Sequence, residues 1–175
     1  MGSVDVGGLC HHQGRLGRRN RPVPRPNPGR HRSEADMTES KITVDEVNEY
    51  LAGVGEFTRS GRVAVEEING TEITVRWKYD ESMLRPGGYI AGPTLFTVAD
   101  LCGWLMVFVS EGITPMAVTW DLHITFLRPA IGGDVIGIGR QVKRGKKLFY
   151  GDVTMHIDGD PDRPVAHATV TYVLP

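Results

Sequence analysis

The chain has 175 residues, enough for one modest domain, with 40% hydrophobic residues and a net charge of −1. That balance gives no bulk attraction to nucleic acid, and the longest apolar run is shorter than the roughly 20 residues a bilayer span requires. Cys10 lies in a polar tail and Cys102 in an apolar run, so no disulfide framework is implied and the chain reads as cytoplasmic.

Residues 1–36 form a basic Pro- and Arg-rich tail in which seven arginines face Asp5, Glu34 and Asp36. The tail has almost no apolar periodicity and reads as disordered. Its prolines at 22, 24, 26 and 28 break any amphipathic import helix. Two readings stay open for it: a basic nucleic-acid-binding arm, or translation that really begins at Met37. Residues 37–175 read as one domain.

A short helix is expected over Thr43–Leu51, where Thr43 and Glu46 have capping-box spacing and Val44, Val47 and Leu51 share a face. Phe57 is placed to anchor the loop after it. Arg62–Lys78 reads as a hairpin: Val63 and Val65 alternate, Asn69-Gly70 marks the turn, and Ile73, Val75 and Trp77 alternate again. A loop over Ser82–Pro93 leads into a long helix from about Pro93 to Ser110, closed near Gly112. That helix is apolar on nearly every side and must be enclosed, most simply by a sheet.

Four strands follow. Met116–Leu127 carries Val118, Trp120, Leu122, Ile124 and Phe126 at period two, and Asp134–Lys143, Lys147–Ile157 and Pro164–Leu174 come after it. Their short links favour an antiparallel meander. The fold class is α+β with one central helix.

Asp100 stands inside an uncharged stretch from Leu95 to Val109. An unpaired buried carboxylate is costly, so Asp100 either holds a structural network or carries chemistry. Thr97, one turn earlier, can reach that carboxylate or bond back to the helix carbonyls. Gly103, one turn later, permits close approach of substrate or of the sheet. Cys102 reads as a packing residue, and His123 and His167 as sheet-surface residues. With Asp100 they make no metal site.

Three stretches carry a family resemblance: Gly87-Gly88-Tyr89-Ile90-Ala91-Gly92-Pro93 running on to Asp100, Val118-Thr119-Trp120 running through Phe126-Leu127-Arg128-Pro129-Ala130 to Gly133-Asp134, and Val165-Ala166-His167-Ala168-Thr169-Val170-Thr171-Tyr172. Over residues 42–174 the chain resembles the hotdog-fold acyl-CoA thioesterases, within them the phenylacetate-type (PaaI-like) family. The resemblance implies a curved antiparallel sheet around one long helix, and a homodimer at least, with dimers of dimers in many members. The active sites would lie between subunits and draw on both. It implies hydrolysis of an acyl-CoA thioester to free acid and CoA, with no cofactor beyond the CoA of the substrate.

Under the resemblance Asp100 is the general base or the nucleophile, and Gly92, with Thr94 as an added donor, supplies backbone N–H to the oxyanion. The family motif His-Gly-Gly is replaced here by Ala91-Gly92-Pro93, so the histidine and the second glycine are missing. Arg128 and the cluster Lys143, Arg144, Gly145, Lys146 and Lys147 are candidates for the CoA phosphates. Leu84, Ile90, Ala91, Phe96 and Trp104, with Trp120, are candidates for the acyl pocket. A non-catalytic acyl-CoA or hydrophobic-ligand binder is the alternative, supported by Ala91. A hotdog dehydratase is disfavoured because no histidine occurs between His31 and His123.

Overall fold

A 20-residue helix, Gly92–Glu111, occupies the centre of the fold, and eleven of its residues are buried, which explains why it is apolar on nearly every side. The computed structural model describes residues 40–54 and 61–175. The readings of residues 1–36 and of Phe57 fall outside the described residues.

The elements run α1 (Val44–Gly53), β1 (Val63–Asn69), β2 (Glu72–Trp77), a 3-10 turn (Glu81–Met83), β3 (Leu84–Arg85), β4 (Tyr89–Ile90), α2 (Gly92–Glu111), β5 (Val118–Phe126), β6 (Val135–Arg144), β7 (Leu148–Ile157) and β8 (Ala166–Val173). The long strands form one antiparallel sheet of order β1-β2-β6-β7-β8-β5. It curves around α2, giving the α+β hotdog architecture. The loop expected over Ser82–Pro93 contains the 3-10 turn and the small β3–β4 hairpin. By length and composition alone α2 could cross a membrane, but its uncharged run is the expected Leu95–Val109, interrupted by Asp100. The sheet and α1 cover its apolar sides.

Local chemistry sets the element ends. Thr43 caps α1 by accepting from Glu46 N–H, and the Glu46 carboxylate accepts from Thr43 N–H at 2.8 Å, a reciprocal capping box. Gly70 closes the β1–β2 turn at φ 59°, a left-handed conformation that costs glycine little. Asn48 of α1 then binds the outer edge of β1. Its amide donates to Val65 O and its carbonyl accepts from Val65 N–H, both at 2.9 Å. One edge of the sheet is thereby capped by α1, whereas β5 is the other edge.

α2 sits close to the sheet because small residues face it. A Cβ on Gly137 would lie 2.5 Å from Cys102 Sγ, and one on Gly139 2.8 Å from Met106 Sδ. A Cβ on Gly151 would meet Arg140 O at 2.9 Å. At the far end of α2, Arg144 Nη2 donates to Glu111 Oε2 at 2.7 Å. Gly137→Ala is therefore expected to cost about 1–3 kcal/mol through overpacking. Gly53→Ala meets nothing within 4 Å and should be neutral or slightly stabilising. Thermal unfolding of the two variants beside wild type checks the contrast. Equal melting temperatures would contradict the close seating of α2.

Candidate active site

Asp100 lies at mid-helix, half-buried, under the edge strand β5. Its carboxylate oxygen Oδ1 accepts from Thr119 Oγ1 at 2.8 Å and from the Tyr172 hydroxyl at 2.7 Å. The same Tyr172 hydroxyl is 2.5 Å from the Asp100 main-chain carbonyl. Among the described residues no hydrogen bond reaches Oδ2. One oxygen of the carboxylate is held by the sheet and the other is open.

Thr119 reaches Asp100 because of a β-bulge. The β5–β8 register runs Thr119↔Tyr172 and then Asp121↔Thr171, leaving Trp120 as the extra residue. This overturns the single-phase alternation from Val118 to Phe126. Thr119, Leu122, Ile124 and Phe126 lie opposite the inward-facing Tyr172, Val170, Ala168 and Ala166, while Trp120 is 73% exposed. A bulge of this kind re-aims a side chain at a site.

Tyr172 is 2% exposed. Burial pushes its phenol well above the usual range; the Thr119 hydroxyl opposes this, and the bond to Asp100 and the charge of its carboxylate add to the rise, so it stays a donor. Its ring rests on Gly103, where a Cβ would come within 2.7 Å of Tyr172 Cε2. Of the two readings of Gly103, close helix–sheet packing is the observed one.

The N-terminus of α2 forms a separate feature. In the loop and first turn, Ala91 N–H is bound to Met83 O at 2.8 Å and Thr94 N–H to Ala91 O at 3.0 Å. Pro93 has no N–H, so Gly92 N–H is the one donor there without a backbone acceptor, and Thr94 is removed as a second oxyanion donor. Gly92 lines a pocket of about 370 Å³ with Arg85, Tyr89, Ile90, Phe126 and Arg128. Arg128 also donates to Pro164 O at 2.8 Å.

The thioesterase superfamily sequence model matches residues 87–164. A provisionally named esterase of Thermoplasma acidophilum is 30% identical over 104 residues, 59% of this chain and 77% of that protein. Another from Saccharolobus solfataricus is 28% identical over 133 residues, 76% of this chain and 86% of that protein. A crystal structure of a provisionally named thioesterase from Silicibacter sp. TM1040 superposes with a TM-score of 0.70 at 32% identity, covering 79% of this chain and 96% of that one. The chain belongs to the thioesterase superfamily.

Within this superfamily member the anticipated site residues are scattered. Gly92 and Asp100 lie eight residues apart on one helix, about 12 Å along its axis. Of the two readings of Thr97, the bond back to a helix carbonyl is the observed one: its hydroxyl donates to Pro93 O at 2.9 Å. Trp104, anticipated in the acyl pocket, packs with Phe108 at 4.6 Å and Tyr50 at 6.1 Å between α1 and α2. Ile90 is at the Gly92 pocket with Leu84 paired behind it across β3–β4, Ala91 precedes the helix, and Phe96 is 43% exposed. The basic cluster lies at the C-terminal end of α2, where Arg144 is engaged by Glu111. That is about 28 Å along the helix axis from Gly92. Lys143, Gly145, Lys146 and Lys147 border a second groove of about 650 Å³ with Leu148 and Tyr150.

Thr119 and Tyr172 were missed as partners of Asp100. The sequence signal was thin: a threonine two residues before an aspartate in β5, and a tyrosine in an otherwise small-residue strand. Cys102 is fully buried, and burial pushes its thiol up to about 12. In a Cys10→Ser background, the folded protein should therefore resist a thiol reagent in mildly alkaline buffer and react only on unfolding. Rapid labelling of the folded protein would contradict that burial.

Proposed function

We propose that this protein is an acyl-CoA thioesterase in which Asp100 acts on the thioester carbon and Gly92 N–H donates a hydrogen bond to the developing oxyanion. The observation that carries this reading is the state of the Asp100 carboxylate: one oxygen held by two hydroxyls, the other open. Two routes use that open oxygen. As general base, Oδ2 takes a proton from water while the water oxygen bonds to the acyl carbon and CoA leaves as thiolate. As nucleophile, Oδ2 bonds to the acyl carbon, CoA leaves, and water then hydrolyses the mixed anhydride.

An oxyanion donor must stand within about 3 Å of the oxygen it stabilises. The axial separation of Gly92 and Asp100 is four times that, so one copy of the chain does not bring both to one carbonyl. Two copies related by a two-fold axis, with their helices antiparallel, can. Among the described residues one edge suits that pairing: Asn48 occupies β1, and β5 presents Val118 and Trp120, 62% and 73% exposed. A homodimer joined along β5 is therefore part of this reading. Arg85 and Arg128 flank the Gly92 pocket and suit the substrate phosphates. Lys143, Lys146 and Lys147 serve them only from a neighbouring copy.

Ala91 favours the second reading, a protein that binds acyl-CoA without turning it over. It supplies no side-chain donor where the resembled family has histidine, and its N–H is already spent on Met83 O. CoA release from short, long-chain and aromatic acyl-CoAs separates the two. For a thioesterase, Asp100→Asn should lower kcat/KM by about 10²–10⁴-fold with substrate still bound. Binding without CoA release by wild type would establish the second reading, and unchanged turnover in Asp100→Asn would remove Asp100 from the mechanism.

A further inference from the structure

Asp100 can rotate about two side-chain bonds, and an open oxygen is useful only if its place is fixed. Thr119 alone does not fix it. It comes from an exposed edge strand and supplies one donor. Tyr172 differs in three ways. It is 2% exposed, its ring is held over Gly103 and beside Val170, and its hydroxyl spans two oxygens of the same residue, Asp100 Oδ1 at 2.7 Å and Asp100 O at 2.5 Å. A donor that bridges a side-chain oxygen and the main-chain oxygen of one residue restricts the torsions between them.

We propose that Tyr172 is a positioning residue that locks the Asp100 side chain, so that Oδ2 and not Oδ1 meets the attacking water or the thioester carbon. This rests on Asp100 being the reacting group. The lock is built from residues far apart in the chain. Gly103 leaves the space, β8 delivers the ring from 72 positions beyond Asp100, and the bulge at Trp120 lets Thr119 join on the same oxygen. Tyr172 is 2% exposed and offers no surface to substrate, so its loss should be felt in the chemical step and not in binding.

Tyr172→Phe keeps the ring and deletes the hydroxyl. The expected result is a fall in kcat on the order of ten- to a hundred-fold with KM within about two-fold, the signature of a misplaced reacting group. Gly103→Ala provides a second variant, keeping the hydroxyl but pushing the ring off its seat. A Tyr172→Phe protein with kcat within about two-fold of wild type, in a protein that Asp100→Asn inactivates, would overturn the inference while leaving the thioesterase reading standing.

A second readout does not need turnover. In protein labelled with ¹³C at the aspartate carboxyl carbons, the resonance lost in Asp100→Asn belongs to Asp100. It should move in Tyr172→Phe and in Gly103→Ala. It should stay in Ser110→Ala, whose hydroxyl bonds Val107 O near the other end of the same helix. An Asp100 resonance unmoved by Tyr172→Phe would show that the tyrosine does not hold the carboxylate. Absence of CoA release by wild type, with the resonance moving as expected, would overturn the thioesterase reading and leave the lock in place.

Discussion

The hydroxyl clamp on Asp100 is the interaction on which the rest of the site depends. A helix that is apolar on nearly every side gains its burial energy from contacts that have no direction, and such contacts do not fix its rotation or its axial register. Hydrogen bonds have direction. At mid-helix the directed bonds from α2 to the sheet are those of Asp100 with Thr119 and Tyr172, and at the helix end those of Glu111 with Arg144. The glycines of β6 and β7 bring the helix close enough to the sheet for short hydroxyl bonds to form. Packing sets the distance and the hydroxyls set the register. Changing either would move the carboxylate.

Much of the fold was legible because its signals are local. The capping box of α1, the Asn69-Gly70 turn and the uninterrupted apolar helix each depend on residues within a few positions of one another, and each is observed. Asp100 also stood out locally, as a carboxylate in an apolar run. The partners of Asp100 did not, because they come from β5 and β8, 19 and 72 positions away. The strict period two read into β5 hid Thr119, since one bulged residue reverses the phase and no pattern rule places a bulge. Trp104 was misplaced for a related reason. Helical spacing puts it on the side of Asp100, yet the aromatic rings of α1 and of α2 itself take it up.

The basic hairpin illustrates a different limit. Composition identifies Lys143–Lys147 as a cationic cluster, but only strand direction decides which end of the helix it meets. β6 runs from Asp134 toward Glu111, so the cluster comes to the end of α2 opposite Gly92. The same reasoning gives the two sheet edges different roles: α1 turns back over β1 and caps it through Asn48, while among the described residues no strand pairs with the outer side of β5, where Val118 and Trp120 are exposed. In the proposed mechanism, where Gly92 and Asp100 act on one carbonyl, their separation calls for a second copy, and the β5 edge is where that copy would pair.

The most direct test of that claim is complementation between two inactive copies. Asp100→Asn protein and Gly92→Pro protein, whose proline at the first helical position deletes the backbone N–H, would be unfolded, mixed in equal amounts, refolded together and assayed for CoA release. If each site joins Gly92 of one copy to Asp100 of the other, half of the dimers are hybrids and each hybrid carries one intact site. The mixture should then recover about a quarter of wild-type activity. A mixture no more active than its parents, with hybrid dimers present, would contradict the account.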